Sequence, residues 1–464
     1  MESFFRIQER KSSIHTEILA GLTTFLCMVY ILFVNANMFA NLPGISYEGM
    51  YIATALSACF GSILIGCLAN LPLAQASGMG LNAYFVFTVC FSLGFTYSNA
   101  LVMVFFDGIL FTILTITGLR KIIFEAIPKA VKDSIAAGIG LFIAYIGLQS
   151  AGIIIPNEST ASTMVSFNVF NGSAEWASIM PMLISLLTVL IIAILTANKK
   201  RGAVFVGMII GTILYYLAGC TIPGFYNNFS FASMNLFSSF KAFGTEQLFA
   251  VFKSGFDFSA YIAAHGSANF AFAVITTMLA FCVVDMFDTL GTLYGACSRG
   301  NLLTETGEVI NQDKAMLSDA LATIFGSICG TSTVTTFVES SAGVAEGGKT
   351  GLAGVVTGLL FFIAILFTPI ASLVPGAVTA AALIYVGALM LAGLKNIDWE
   401  DARCAIPAFL TITFMAFSYS ISNGIGIGLL SYTVMKILDG KIKEIKIATW
   451  IIDILFLAMF LLSH

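Results

Sequence analysis

Charge is what this sequence has least of. Of its 464 residues only 10% are Asp, Glu, Lys or Arg, 58% are hydrophobic and the mean hydropathy is +0.95, whereas soluble domains carry about 25% charged residues. A water-soluble fold is excluded, and the chain reads as a polytopic membrane protein. The net charge of -4 leaves no basic face for nucleic acid. Histidine is nearly missing: His15, His265 and His464 all lie outside the apolar runs, so no imidazole is available at depth to carry a proton. The nine cysteines, Cys27, Cys59, Cys282 and Cys329 among them, form no CxxC pair and no Cys/His metal spacing, and are read as small packing residues. No metal and no cofactor is expected. No cleavable leader is expected either, because 1–13 is polar and charged and the first apolar run is long enough to span.

What is present is a series of apolar runs, at about 18–40, 50–69, 99–118, 134–155, 179–197, 203–220, 269–295, 352–374, 377–394, 404–420 and 423–438, with another holding Asp319 at 315–329. Regions 71–97 and 331–351 are too polar and glycine-rich for ordinary spans. Counting both as broken spans predicts an all-α protein with 14 transmembrane segments, interrupted by short extended strands in spans 3 and 10. Arg6, Arg10, Lys11, Arg120, Lys121, Lys199, Lys200, Arg201, Arg299, Lys349, Lys395, Arg403, Lys436, Lys441 and Lys443 then fall on one side, while the long connector opposite has only Lys241 and Lys253. The positive-inside rule makes that side, with the N-terminus, cytoplasmic. The run 447–462, which contains Asp453, is a further crossing, a re-entrant segment or an interfacial helix; the sequence leaves this open.

The halves echo each other. Phe60-Gly61-Ser62-Ile63 returns as Phe325-Gly326-Ser327-Ile328, each before a broken span, and Ile127-Pro128-Lys129-Ala130-Val131 is answered by Val374-Pro375-Gly376-Ala377-Val378 before spans 5 and 12. Residues 1–220 are therefore read as a first repeat (spans 1–7), 221–268 as an extracytoplasmic connector, and 269–464 as a second repeat (spans 8–14) with the C-terminal apolar segment. Seven is odd, so the repeats run in opposite directions. Interrupted segments at matching places in inverted repeats point to the binding site of a secondary transporter. An ungapped shift by 265 residues sets Ala74 against Glu339, and Ser77 and Gly78 against Ala342 and Gly343.

Intramembrane acids mark that site. Glu339 follows Thr331-Ser332-Thr333-Val334-Thr335-Thr336-Phe337-Val338, whose β-branched residues favour an extended path of about 26 Å, and a short helix is expected to begin beside it. Asp285, Asp288 and Thr292 stand at spacings three and four, on one helix face. That face is the expected partner of Glu339. A carboxylate at depth costs roughly 2.5 to 3.5 kcal/mol on insertion scales, so it belongs in a cavity or on a ligand. With no histidine there, proton coupling falls to Glu339 or Asp285, while Asp107 and Asp319 are read as bridging structural elements. Gly343 to Thr350 has the spacing of a phosphate loop, but it stands between apolar membrane segments, and Lys349 after Glu346-Gly347-Gly348 is read as a cytoplasmic turn.

Gly78-Met79-Gly80-Leu81-Asn82-Ala83-Tyr84-Phe85, Phe287-Asp288-Thr289-Leu290-Gly291-Thr292, the stretch Gly330 to Gly351, Thr16 to Phe25 and Tyr30 to Asn35 together resemble the AzgA-like purine permeases of the nucleobase/ascorbate transporter superfamily, over nearly the whole chain. The resemblance implies a seven-plus-seven inverted-repeat fold, with a core domain of spans 1–4 and 8–11 and a gate domain of spans 5–7 and 12–14. It further implies proton-driven uptake of adenine, hypoxanthine or guanine, an elevator-like motion, a homodimer, and residence among the lipids of a bacterial inner (plasma) membrane. Asp285, Glu339 and Asn82 match the family's polar binding positions. Asp288 and Thr289 belong to the same span-8 motif, and the backbone at Ala74, Gln75, Ala76 and Ser77, and around Val338 from Phe337 to Ser340, matches base-contacting strands. Two residues depart from the pattern: Ala36, where proline is usual, and Asp107, where a small uncharged residue is usual. No nucleophile or metal cluster supports an enzyme, and the alternative reading is a sulfate- or bicarbonate-type carrier of related architecture.

Overall fold

In the computed structural model, residues 2–119, 127–157, 159–170, 172, 174–222, 235–304 and 308–462 are described; Arg120 and Lys121 of the charge pattern, and 223–234 of the connector, lie outside them. Helices follow the apolar runs closely. They are α1 (Ile14–Phe39), α2 (Tyr47–Leu68), α3 (Met79–Ser92), α4 (Tyr97–Thr117), α5 (Lys129–Ser150), α6 (Trp176–Ala197) and α7 (Ala203–Thr221), then α8 (Ser267–Arg299), α9 (Gln312–Cys329), α10 (Ser340–Ala345), α11 (Gly351–Ala371), α12 (Gly376–Asn396), α13 (Ala402–Phe417), α14 (Ile421–Leu438) and α15 (Ile447–Leu462). Ten of them are long and apolar enough to cross a membrane. The protein is thus a predominantly helical, polytopic membrane protein.

Capping explains where many helices start. Ser13, Ser46, Thr96, Thr350, Asp401 and Ser420 each accept from a backbone N–H of the first turn of α1, α2, α4, α11, α13 and α14. At α5 and α12 the residue before the helix is Pro128 and Pro375, so the repeated motif marks the same boundary twice. These two helices pack together, and a Cβ on Gly140 would lie 2.7 Å from the Gly387 carbonyl. The second repeated motif also has a physical reason. Phe60 and Phe325 stack face to face at 4.1 Å, and the glycines beside them leave room for the strands, since a Cβ on Gly61 would meet Gln75 at 3.0 Å and one on Gly326 would meet Val334 at 2.7 Å.

Among the described residues four short strands complete the fold: β1 (Gln75–Ser77), β2 (Ile154–Asn157), β3 (Ala161–Met164) and β4 (Val334–Thr336), with β1 paired to β4 and β2 to β3, both antiparallel. Three details differ from the sequence reading. The apolar run at 134–155 overshoots, because α5 ends at Ser150 and the chain turns into the β2–β3 hairpin. The extended path before Glu339 holds only three ladder residues, followed by a turn at Val338 and Glu339. The ungapped shift fails as well: it sets β1 against Ser340–Ala342, which are helical, because the segment between motif and strand is longer in the first half. The connector carries helices of its own at Leu236–Ala242 and Ser259–His265, and Asn99 of α4 donates to the carbonyls of Gly255 and Asp257 at 2.8 and 2.9 Å.

Packing sorts the helices into two sets. α2 packs on α9 and α11, α4 on α8 and α9, and α1 on α10 and α11; α5 packs on α12, α13 and α14, α13 on α14, and α6 on α7 and α12. Small residues let backbones approach, as where α11 meets α2 and a Cβ on Gly351 would collide with the Gly66 carbonyl at 1.8 Å. α15 lies against α8 and α14, and its buried Asp453 accepts from Thr433 of α14 at 2.5 Å.

Candidate functional site

β1 and β4 cross inside the first set of helices, with Gln75 opposite Thr336, Ala76 opposite Thr335 and Ser77 opposite Val334. Two more bonds extend the pair, from Gly78 N–H to the Thr333 carbonyl (3.0 Å) and from Phe337 N–H to the Ala74 carbonyl (3.1 Å). The Ser340 hydroxyl ties the second strand's helix to the first strand by accepting from Ala74 N–H at 3.0 Å. The strand backbone groups need partners within the protein because both strands are buried.

Strand side chains alternate between faces, so the pair has two differently furnished sides. On one, the Thr335 hydroxyl donates to Asp288 of α8 at 3.4 Å, Glu339 is the charged neighbour of Asp288, and the Tyr30 hydroxyl of α1 donates to Glu339 at 2.6 Å. Asp288 and Glu339 are half-buried and Val338 is exposed, so this side has open space before it. On the other side everything is buried: Gln75 and Thr336 donate to Asp319 Oδ1 at 3.0 and 3.3 Å, and Thr289 donates to Oδ2 at 2.5 Å.

The residues singled out in the sequence therefore divide. Glu339 and Asp288 face one another at the open side, flanked by Val338 and by the strand backbone at Ala76. Asp285 is fully buried one turn behind, where Oδ2 accepts from Thr323 of α9 at 3.4 Å and Oδ1 has no donor. Three residues advance a helix by 300°, so Asp285 and Asp288 point about 60° apart, enough to separate them at the strand. Thr323 also binds both backbone groups of Val334, so Asp285 reaches the strand through it. Asn82, Ser77 and Thr331 form a buried chain in which the Ser77 hydroxyl donates to Asn82 Oδ1 at 2.7 Å and Asn35 donates to Thr331 at 3.2 Å. Ala74, Gln75, Phe337 and Ser340 are buried and hold the crossing together.

Tyr30, Thr323 and Thr335 take part without having been singled out. Tyr30 interrupts an apolar run with a hydroxyl, a signal that was available; the two threonines merge with their β-branched neighbours. Glu339 immediately precedes α10, as anticipated, yet its carboxylate binds Tyr30 and caps nothing. Gly78 packs on the opposite strand, since a Cβ there would meet Thr335 at 2.9 Å, but Gly343 does not: a Cβ there would meet Thr24 at 2.2 Å and the Ala20 carbonyl at 2.5 Å, both on α1. The arrangement offers a half-buried pair of carboxylates, which accept N–H donors, beside the exposed Val338 that follows β4.

Residues 15–427 match Xan_ur_permease, a model described as a permease family. The chain belongs to that family. The permease is 35% identical over 457 residues to the adenine permease AdeP of Escherichia coli, covering 98% of this chain and 95% of that one. It is 36% identical over 478 residues to the guanine/hypoxanthine permease PbuG of Bacillus subtilis, covering 99% of each. Among solved structures, the transmembrane domain of the cyanobacterial bicarbonate transporter BicA matches with a TM-score of 0.62, covering 88% of the permease and 97% of that chain. Murine Slc26a9 in its inward-facing state matches with a TM-score of 0.60 over 92% of the permease and 69% of that chain. Both are 15% identical, so they speak for the fold alone. The permease is a transport protein and not an enzyme.

Proposed function

We propose that this permease imports a purine nucleobase, adenine, hypoxanthine or guanine, by proton symport. The observation that carries the reading is the half-buried pair Asp288 and Glu339 at the strand crossing, in a chain whose full-length relatives are named adenine and guanine/hypoxanthine permeases. A planar base brings N–H donors and ring acceptors to such a site, and a site that pairs each of them rejects analogues lacking one. Glu339 and Asp288 accept N–H groups, the backbone from Ala74 to Ser77 and from Phe337 to Ser340 borders the base, and Asn82, Thr289 and Asp285 support the site from behind. Glu339 and Asp285 are the proton-coupling candidates. A sulfate or bicarbonate anion would meet two carboxylates here, which weighs against the anion-carrier alternative despite the shared fold.

The transport cycle we infer is an elevator. α1–α4 with α8–α11 form the core and α5–α7 with α12–α14 the gate, a division supported by the two packing sets. This reading counts fourteen crossings in two inverted repeats, 1–220 and 269–464 around an extracytoplasmic connector at 221–268, with a cytoplasmic N-terminus in the bacterial cell membrane and a homodimeric assembly. Uptake of radiolabelled adenine, hypoxanthine and guanine by a host lacking its own purine permeases tests it directly. Saturable uptake displaced by unlabelled purines and not by sulfate or bicarbonate is expected; displacement by the oxyanions alone would overturn the purine reading.

A further inference from the structure

Behind the strand crossing, on the side away from the open space, Asp319 of α9 and Asp285 of α8 lie together, and Asp107 of α4 is directed at them. All three are completely buried. The titratable groups facing Asp107 are Cys282 of α8 and Asp319 of α9; those facing Asp285 are Asp319, Asp107 and Asp288, and Asp285 and Asp288 in turn face Asp319. None of the ion pairs among the described residues reaches these acids. Hydrogen-bond donors are also too few. Both oxygens of Asp319 accept, but Asp285 Oδ1 has no donor among the described residues and Asp107 has only the Cys282 thiol, a weak donor, beside it.

Three anions in such a place, without a cation or enough donors, are unsustainable. A proton supplies what is missing, since it removes a charge and turns one carboxyl oxygen into a donor for its neighbour. A bound metal ion fits less well, because no group of three His, Cys, Asp or Glu side chains among the described residues is arranged to hold one. We infer that Asp107, Asp285 and Asp319 form a proton-binding site inside the core, separate from the carboxylates at the open face, and that its proton travels with the purine. The inference rests on the proton-symport reading above. The link to the substrate side is short: Asp319 is held by Gln75 of β1 and Thr336 of β4, and Asp285 by Thr323, which binds Val334 of β4. A shift of either strand on purine binding therefore changes which oxygens have donors.

Asp107 provides the test, because it touches neither strand and Asn is the shape of its protonated form. In purified permease, the affinity for whichever of adenine, hypoxanthine and guanine the wild type accumulates is measured between about pH 6 and 8, and proton uptake on binding is followed with a pH dye. Asp107→Asn is expected to match wild type within about threefold at the acid end, to flatten the wild-type pH dependence at least about fivefold, and to lower proton uptake per purine. Wild-type pH dependence and proton uptake in Asp107→Asn would overturn the assignment. Infrared difference spectra of the wild type give a reading that needs no variant: a protonated-carboxyl band that changes with purine is expected, and its absence would overturn the inference. Uptake assays in cells keep the two readings apart. Protonophore-resistant, sodium-dependent accumulation by the wild type would sink proton symport itself, whereas protonophore-sensitive uptake with an unaltered Asp107→Asn profile would sink only the buried site.

Discussion

The Tyr30 hydroxyl is the group whose removal tests the open face most cleanly. Tyr30→Phe keeps a fully buried ring in place and deletes one bond, the 2.6 Å contact to Glu339. Hydrogen bonds to charged groups contribute about 1.5 to 3 kcal/mol when both partners are sequestered. Glu339 is only half-buried, so water replaces part of the lost bond and the contribution falls to the bottom of that range or just below it, about 1 to 1.5 kcal/mol. If that bond holds Glu339 in the orientation that meets the base, Tyr30→Phe weakens purine binding by roughly 5- to 12-fold. Equilibrium binding of radiolabelled purine to purified protein reads this directly. A double-mutant cycle with Glu339→Ala, which leaves no acceptor, should return a coupling of about the same size, since each variant removes the same contact. Unchanged affinity in Tyr30→Phe, with wild-type thermal stability, would show that Glu339 does not need this orientation and that the open face is not where the base binds.

Glu339→Gln should abolish concentrative uptake while the protein still inserts in the membrane, and accumulation at the wild-type level would remove Glu339 from the site. The two glycines at equivalent-looking places should part company. Gly78→Ala, pressed on Thr335 of the opposite strand, should weaken purine binding by about fivefold with little change in melting temperature, whereas Gly343→Ala, pressed on the backbone of α1, should destabilise the protein by about 2 kcal/mol; the reverse pattern in binding and thermal melting would contradict the geometry. Gly351→Leu, driven into the Gly66 carbonyl, should cost about 3 kcal/mol and leave little folded protein on size-exclusion chromatography. Because the proton is a co-substrate in the proposed cycle, uptake should rise as external pH falls from about 8 toward 6 and collapse with a protonophore, yet be indifferent to replacing sodium with choline. Sodium dependence would refute that coupling.

Scarcity of charge and the spacing of apolar runs fix the membrane environment and nearly every helix position, because a bilayer forces each crossing to be a continuous apolar stretch with its hydrogen bonds satisfied internally. Local chemistry fixes many starts as well, through Ser, Thr and Asp caps and the two prolines before α5 and α12. The two interrupted segments were legible too, since threonine, serine and glycine stand out there from the apolar setting and the chain forms β1 and β4. Which side of the strand pair each acid joins was not legible. Asp285 and Asp288 share a helix face by spacing, and Asp107 and Asp319 sit some two hundred residues apart on α4 and α9, so only the packing of α4, α8 and α9 around β1 and β4 gathers Asp107, Asp285 and Asp319 on one side and leaves Asp288 with Glu339 on the other. Periodicity records the direction of a side chain from its own helix axis; where that direction ends depends on the neighbouring helix, and that is a tertiary fact.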